Sequence, residues 1–188
     1  KYNVLFIADE VQTGIARTGK MLACDYELAR PDILILGKAL SGGVFPVSAI
    51  LADNDIMLCI KPGEHGSTYG GNPLACQVAM AALKVVVNEK LADNSFKLGN
   101  IFREELNLFI KSNNLINQVR GKGLLNAILI NDSPDSSTAW DICMKLKENG
   151  LLAKPTHGNI IRLAPPLVIN KSQLLECLGI IKDTISSF

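Results

Sequence analysis

The sequence predicts an α/β protein with a mostly parallel sheet, followed by a smaller α+β segment. Two short apolar runs, Tyr2–Ala8 and Ile33–Leu36, have the continuous hydrophobicity of strands that are buried on both faces. A helix is predicted between them, over Lys20–Ala29, and it ends before Pro31. A strand, a helix and a second strand in this order indicate a βαβ-type unit.

Composition excludes several classes of partner. The chain has 188 residues, enough to bury a sizeable core, and a formal net charge of +1 without a cluster of Lys or Arg. We therefore expect no nucleic acid and no anionic membrane surface as partner. The longest stretch without charge, Ala39–Ala52, is too short and too polar to span a bilayer. Five scattered cysteines without ligand spacing favour free thiols over disulfides, and no metal site is predicted.

The remaining elements follow from turn signals and helical periodicity. A third apolar segment, Pro46–Ala52, comes after a glycine pair, and Asn72-Pro73 begins a helix over Leu74–Val87. That helix is apolar around most of its circumference, so we expect it to be buried. An amphipathic helix is predicted over Leu91–Ile110, with a domain boundary near residue 92. Beyond it we predict short strands at Gln118-Val119, at Leu124–Ile130, near Leu151–Ala153 and at Asn159–Leu163, and two helices at Ser137–Glu148 and Lys171–Ile185.

Lys38 is the first candidate for chemistry because it directly follows a predicted buried strand. Open α/β sheets bind their ligands beyond the carboxyl ends of the strands. A partly desolvated lysine at such a position can attack a carbonyl and hold it covalently. Gly42 and Gly43 leave room for a ligand near the backbone. Taken alone, however, a lysine just past a strand is more often an ordinary surface residue.

Asp9 ends the first predicted strand and has two interpretations. An apolar strand followed by an acid is typical of a Walker B element, which requires a phosphate-binding loop of the form G-x-x-x-x-G-K-[ST]. None of the three Gly-Lys pairs, which end at Lys20, Lys38 and Lys122, is followed by Ser or Thr. The alternative joins Asp9 to Lys38, since a pyridoxal phosphate enzyme needs a lysine for the cofactor and an acid beside its pyridine nitrogen.

Longer motifs strengthen the second interpretation. Residues 8–14 (ADEVQTG), 17–19 (RTG), 31–38 (PDILILGK) and 65–74 (HGSTYGGNPL) resemble class III aminotransferases of fold type I. The resemblance implies that residues 1–92 belong to a large domain that binds pyridoxal 5'-phosphate and residues 93–188 to a small α+β domain. It extends over nearly the whole chain.

Four further stretches resemble the ornithine-using branch of that family: residues 40–43, 61–64, 119–127 and 149–158. The implied reaction transfers the δ-amino group of L-ornithine to 2-oxoglutarate and yields glutamate 5-semialdehyde and glutamate. An acetylornithine or other ω-amino acid aminotransferase is the alternative within the class. Outside it, the alternative is a non-catalytic homologue with the same fold.

The resemblance also implies a role for each matching residue. Lys38 holds the cofactor and later carries a proton, and Asp9 pairs with the pyridine nitrogen. Val11 packs on one face of the cofactor ring, while Gln12 forms a hydrogen bond near the ring hydroxyl. A core position is the simpler interpretation of Val11.

Three further residues belong to the implied site. Ser67 and Thr68 are expected to bind the cofactor phosphate of the neighbouring subunit, so the protein is expected to be a homodimer. Arg162 is expected to grip a substrate carboxylate with its bidentate fork. The simpler alternatives are a turn cap for Ser67 and Thr68, and an exposed strand residue for Arg162.

The chain begins without methionine, signal sequence or transit peptide, and we expect it to be part of a longer protein. The glycine loop for the cofactor phosphate, the aromatic residue on the ring and most groups that recognise ornithine are then expected upstream. We expect a cytoplasmic protein. The mitochondrial matrix is the alternative, because targeting cannot be read from these residues.

Overall fold

The computed structural model describes residue 2 and residues 4–188, so part of the predicted strand Tyr2–Ala8 lies outside the described residues. The chain divides into two compact units. Unit 1 comprises residues 1–16 and 20–92, and unit 2 comprises residues 17–19 and 93–188. Which domains of a longer protein these units represent stays a prediction.

Unit 1 contains a three-stranded sheet in the order β1-β2-β3, formed by Ile7–Asp9, Ile33–Leu36 and Ala49–Ala52. The parallel pairing of β1 with β2 follows the prediction. β3 instead pairs antiparallel with β2, which departs from a mostly parallel sheet within the described residues. The physical reason is the connection: residues 37–48 contain only a short 3₁₀ helix, at Lys38–Ser41, whereas parallel pairing usually needs a full crossover helix.

The predicted helix over Lys20–Ala29 is wrong, because only a short 3₁₀ helix forms there, at Ala23–Tyr26. Two carboxylates capture the backbone N–H groups of this segment: Asp25 accepts from Leu22 and Glu10 accepts from Cys24. The Glu10 contact takes the Cys24 N–H away from a helical partner, whereas the Asp25 contact caps the short 3₁₀ helix, and together they outweigh the local helix propensity.

Two helices complete unit 1, α1 at Asn54–Met57 and α2 at Pro73–Asn88. The predicted start of α2 is confirmed, since the Asn72 side chain accepts hydrogen bonds from the first-turn N–H groups and proline occupies N1. The prediction that this helix is buried is wrong within the described residues. Only Ala75 and Ala79 are buried, because the described part of unit 1 covers a single face of α2.

Unit 2 is a two-layer α+β arrangement. Its four-stranded sheet is antiparallel throughout and has the order β4-β5-β7-β6. Helices α3, α4 and α5 match the predicted positions. In chain order the elements are α3 Leu91–Ile110, β4 Ile116–Lys122, β5 Leu125–Ile130, α4 Thr138–Glu148, β6 Lys154–Thr156, β7 Ile160–Leu163 and α5 Lys171–Ser186.

The strand predicted near Leu151–Ala153 is present but displaced, since the observed strand is β6, at Lys154–Thr156. Leu151 lies just past the end of the preceding helix, where its N–H donates to the Leu146 carbonyl at 2.8 Å, and it packs on the core. β6 is an edge strand, a position that tolerates Pro155 and requires little apolar character.

The core of unit 2 lies on one side of its sheet. Along β5 and β7 burial alternates, and the inward residues pack against apolar residues of all three helices. The other face therefore carries the outward residues of the strands, as is common for antiparallel sheets. The central inward side chains are Leu106, Ile128, Ile161 and Leu178.

Residues 17–19 are built into unit 2 by close backbone contacts. A Cβ atom on Gly99 of α3 would lie 1.8 Å from the carbonyl oxygen of Gly123, and one on Gly123 would lie 2.3 Å from the carbonyl carbon of Thr18. The backbones of helix, turn and loop therefore stack directly, which requires glycine at both positions. Gly123 in addition has a φ of +54°.

Candidate active site

Lys38 occupies a constrained position directly after β2. Gly37 before it is buried, and Lys38 itself has a φ of +50°, in the left-handed region that non-glycine residues seldom adopt. The short 3₁₀ helix Lys38–Ser41 continues from there, and its buried Ser41 hydroxyl accepts from the Phe45 N–H at 3.1 Å. Backbone strain of this kind concentrates at functional sites. The lysine side chain is exposed.

Asp9 lies at the same edge of the sheet as Lys38. Asp9 is paired with Ile35 across the parallel ladder, and the next N–H, from Glu10, donates to the Ile35 carbonyl at 3.0 Å. The two strands therefore end side by side, with Asp9 at the end of one and Lys38 just beyond the other. The exposed Asp9 carboxylate accepts a hydrogen bond from the Val11 N–H at 3.1 Å.

Val11 lies beside the backbone that precedes the lysine. Both of its γ-carbons are 3.7 Å from the point where a Cβ atom on Gly37 would stand. Gln12 follows in the same turn, with an exposed side chain. Thus Asp9, Val11 and Gln12 all belong to the turn that leaves β1. Their roles in binding a cofactor stay predictions.

Glu10 is a supporting residue that the sequence analysis did not single out. It is buried, and its carboxylate accepts hydrogen bonds from the Thr13 hydroxyl and, at 2.8 Å, from the Cys24 N–H. Burial by itself raises the pKa of Glu10, but these hydrogen bonds outweigh it and bring the pKa below the ordinary value of 4.5. The ionised carboxylate thereby ties the turn after Asp9 to the segment around Cys24.

The same turn explains a glycine of the predicted motif. Gly14 donates its N–H to the Glu10 carbonyl at 2.9 Å, and a Cβ atom on Gly14 would approach that oxygen to 2.8 Å. A side chain at this position would push the turn open. Gly14 therefore helps to keep the residues after β1 compact at the edge of the sheet.

A pocket of about 540 Å³ in unit 1 brings Lys38 together with the loop before α2. Its lining includes Lys38, Ser48, Ser67 and Asn72. Thr68 adjoins Ser67 in the same exposed loop and is not among the lining residues. The Ser67 hydroxyl accepts from the Gly70 N–H at 2.9 Å, as a turn cap does, and this leaves its own hydrogen to donate to a ligand.

These groups fit pyridoxal phosphate. Its size suits a pocket of this volume and Lys38 offers an amine there, whereas the Ser67 hydroxyl is the donor predicted for the phosphate of a neighbouring subunit's cofactor. Asp9 offers an exposed carboxylate at the same sheet edge, which suits a protonated pyridine nitrogen. The described residues contain no group of three or more His, Cys, Asp or Glu side chains that is able to hold a metal ion.

Arg162 belongs to unit 2 and lies on the middle of β7. Its burial alternates with that of Ile161 and Leu163, so its half-buried side chain lies on the sheet face opposite the core. It is paired with Ala127 of β5 on one side and with Lys154 of β6 on the other. Its predicted role in binding a carboxylate stays a prediction.

A lysine at one strand end and a carboxylate at the next are the groups that pyridoxal phosphate enzymes require. The chain belongs to the class-III aminotransferase family, which it matches over residues 1–185. Members of this family depend on pyridoxal phosphate, and the predicted resemblance is confirmed. Among the residues that the structure describes, no helix has the length and apolar character needed to cross a membrane.

Curated relatives carry one recurrent name. Ornithine aminotransferase of Drosophila melanogaster, named as mitochondrial, is 67% identical over 187 residues, which covers 100% of this chain and 42% of that protein. The mitochondrial ornithine aminotransferase of Rattus norvegicus is 61% identical over 188 residues, again 100% of this chain and 42% of the relative. The chain therefore spans less than half the length of these relatives.

Solved structures agree on the fold. The structure of ornithine delta-aminotransferase of Plasmodium falciparum has a TM-score of 0.94 at 55% identity. The match covers 100% of this chain and 47% of that chain. A structure described as acetylornithine aminotransferase of Elizabethkingia anophelis has a TM-score of 0.96 at 72% identity. The match covers 99% of this chain and 49% of that chain. The predicted fold of a pyridoxal phosphate-dependent aminotransferase is thus confirmed.

Proposed function

We propose that the full-length protein containing this chain is an ornithine aminotransferase. It transfers the δ-amino group of L-ornithine to 2-oxoglutarate and releases glutamate 5-semialdehyde and glutamate. The observation that carries the proposal is the position of Lys38 and Asp9 on neighbouring strand ends of one sheet. The names of the curated relatives, at identities between 55% and 67%, support ornithine as the substrate.

In this proposal, each of several residues of unit 1 binds a different part of the cofactor. When bound, pyridoxal phosphate withdraws electrons from the substrate carbon and carries the amino group between two half-reactions. Lys38 would hold the cofactor covalently through its amine, and the same amine is suited to move a proton at the substrate carbon. Asp9 keeps a proton on the pyridine nitrogen. Val11 packs on one ring face, and Gln12 donates a hydrogen bond near the ring hydroxyl.

The phosphate and the substrate carboxylate need further groups. Ser67 and Thr68 donate their hydroxyl hydrogens to the cofactor phosphate of the neighbouring subunit, so the active protein is a homodimer. Arg162 binds a substrate carboxylate, for which its planar guanidinium offers two parallel N–H donors. In this proposal, residues up to about 92 are part of a large cofactor-binding domain and the rest form a small domain.

Acetylornithine is the second candidate substrate, and one observation favours it: the 72% identical structure is described as an acetylornithine aminotransferase. Steady-state assays with ornithine, acetylornithine and 4-aminobutyrate separate the candidates. We expect the highest kcat/KM with ornithine. A preference for either of the other two amines would overturn the assignment of the substrate while leaving the reaction class intact.

The names of the fly and rat relatives also favour the mitochondrial matrix over the cytoplasm. We accordingly propose a mitochondrial location, in place of the cytoplasmic one expected from these residues. Cell fractionation followed by detection of the full-length protein tests this. Recovery with the cytosolic fraction alone would contradict it.

The central experiment tests Lys38 in the full-length protein. Lys38→Ala removes the amine that binds the cofactor, so we expect loss of its visible absorbance and of activity, with an unchanged circular dichroism spectrum. Lys84→Ala, on the exposed surface of α2, is the matched control and should keep both absorbance and activity. An unchanged absorbance in Lys38→Ala would refute the assignment, and a wild-type protein without cofactor absorbance would favour the non-catalytic homologue.

A further inference from the structure

The outward face of the unit 2 sheet carries a row of four residues, three of which are cations. Arg120, Ala127, Arg162 and Lys154 lie side by side across all four strands, because each is the direct cross-strand partner of the next. Directly opposed residues project to the same face, with Cβ atoms about 4.5–5.5 Å apart. Arg162 and Lys154 are therefore immediate neighbours, whereas Arg120 lies two strands from Arg162.

This juxtaposition of two cations favours the binding of an anion. Like charges directly opposite each other on a sheet destabilise it. The outward-facing residues of the four strands include several cations and no acidic side chain, so the strands themselves give this face a positive charge. A carboxylate bound between Arg162 and Lys154 would convert their mutual repulsion into two attractive contacts.

The two side chains differ in a way that suits a shared ligand. Arg162 is half-buried on the middle of β7, and it offers a planar fork for one carboxylate. Lys154 is exposed on the edge strand β6, and its flexible stem carries a compact charge with rotatable donors. The arginine is thus suited to orient the carboxylate and the lysine to add attraction from the open side.

We propose that Lys154 is a second carboxylate-binding residue, acting with Arg162 on the 2-oxo acid substrate. The inference rests on the proposed function. 2-Oxoglutarate is a dianion, whereas ornithine carries a net positive charge at neutral pH. A cation at Lys154 therefore favours the oxo acid and gives no advantage to the amine donor, so it tunes the balance between the two half-reactions.

The experiment compares both substrates, 2-oxoglutarate and ornithine, in the full-length enzyme. For Lys154→Gln we expect the KM for the oxo acid to rise about three- to fivefold, the upper part of the range of an exposed ion pair. The KM for ornithine and the rate of its half-reaction should stay within about twofold of wild type. Lys154→Arg should restore the KM for the oxo acid, and Lys154→Glu should raise it further. A purely structural role would affect both substrates alike.

Lys122→Gln is the matched control, because it removes the same charge from the same sheet face at a position outside the row. Both KM values should stay at wild-type levels in this variant. An unchanged KM for the oxo acid in Lys154→Gln, an equal rise for both substrates, or an equal effect of Lys122→Gln would overturn the inference. Failure of the wild-type enzyme to react with ornithine would instead overturn the proposed function.

Discussion

Replacing Arg17 by methionine should destabilise unit 2, although Arg17 lies far from most of it in sequence. The Arg17 guanidinium donates to the carbonyl oxygens of Leu124 at 3.1 Å and Pro165 at 2.6 Å. Burial lowers the pKa of Arg17, which is consistent with a guanidinium taken largely out of water. Its own carbonyl accepts from the Ser95 hydroxyl at 2.9 Å. The residue therefore joins α3, the β4–β5 turn and the segment after β7.

The magnitude follows from the two carbonyls that lose their donor. Methionine keeps the apolar stem and removes the charge, so the desolvation cost of the guanidinium is relieved at the same time. Each carbonyl left without its donor in this part-buried region costs about 1–3 kcal/mol, and after that relief we expect a net loss of unfolding free energy of about 2–4 kcal/mol. Hydrogen exchange of β5 and β7 amides in the full-length protein measures it, and exchange should accelerate about 30- to 1000-fold.

Arg30→Met is the matched control, because its ion pair with Asp53 is exposed on both sides. Exposed pairs of this kind contribute little, so the control should change exchange in unit 1 by about fivefold or less. If Arg17→Met accelerated exchange in β5 and β7 no more than that, the bridging role of Arg17 would be refuted.

Two further predictions use ionisable groups. Glu10 has a folded-state pKa below 4.5, so its carboxylate stabilises the fold fully above that pH and progressively less as pH falls through the lowered value. Glu10→Gln should therefore lower the free energy of unfolding by about 1–3 kcal/mol at pH 7 and have no effect in strong acid. Urea unfolding at several pH values measures this. Burial raises the pKa of the Cys143 thiol to about 11, so maleimide at pH 8 should label Cys143 only after unfolding. Rapid labelling of the native protein would contradict that burial.

Helical periodicity predicted the long elements because it records tertiary burial directly. In α3 the apolar positions repeat at helical spacing, and those of Leu98, Phe102 and Leu106 all lie in the core. The short elements depend on contacts that no local pattern contains. The apolar Leu151–Ala153 suggested a strand, although β6 lies at Lys154–Thr156, where pairing with β7 rather than hydrophobicity determines the strand.

The candidate site likewise contains residues that the local pattern predicts and residues that depend on distant contacts. The placement of Asp9 and Lys38 at one edge of the sheet was predictable, because strand ends in a parallel pair meet there, and that placement is observed. Their roles towards a cofactor stay predictions. Glu10 and Arg17 were not singled out for their structural contacts, since their roles rest on partners distant in sequence or on burial. The pairing of Lys154 with Arg162 also required the observed register of β6, which the sequence misplaced by three residues.

The position of residues 17–19 affects how the chain can be divided and in what order it is made. Unit 2 consists of a tripeptide near the start and a long segment after it, with most of unit 1 encoded between them. A fragment that begins at Asp93 would lack Arg17 and leave the carbonyl of Pro165 without its donor. Pro165 lies 148 residues after Arg17, so at ordinary elongation rates it is synthesised roughly 7–30 seconds after Arg17. Unit 2 therefore cannot finish folding until most of unit 1, which lies between Arg17 and Pro165 in the chain, has been translated.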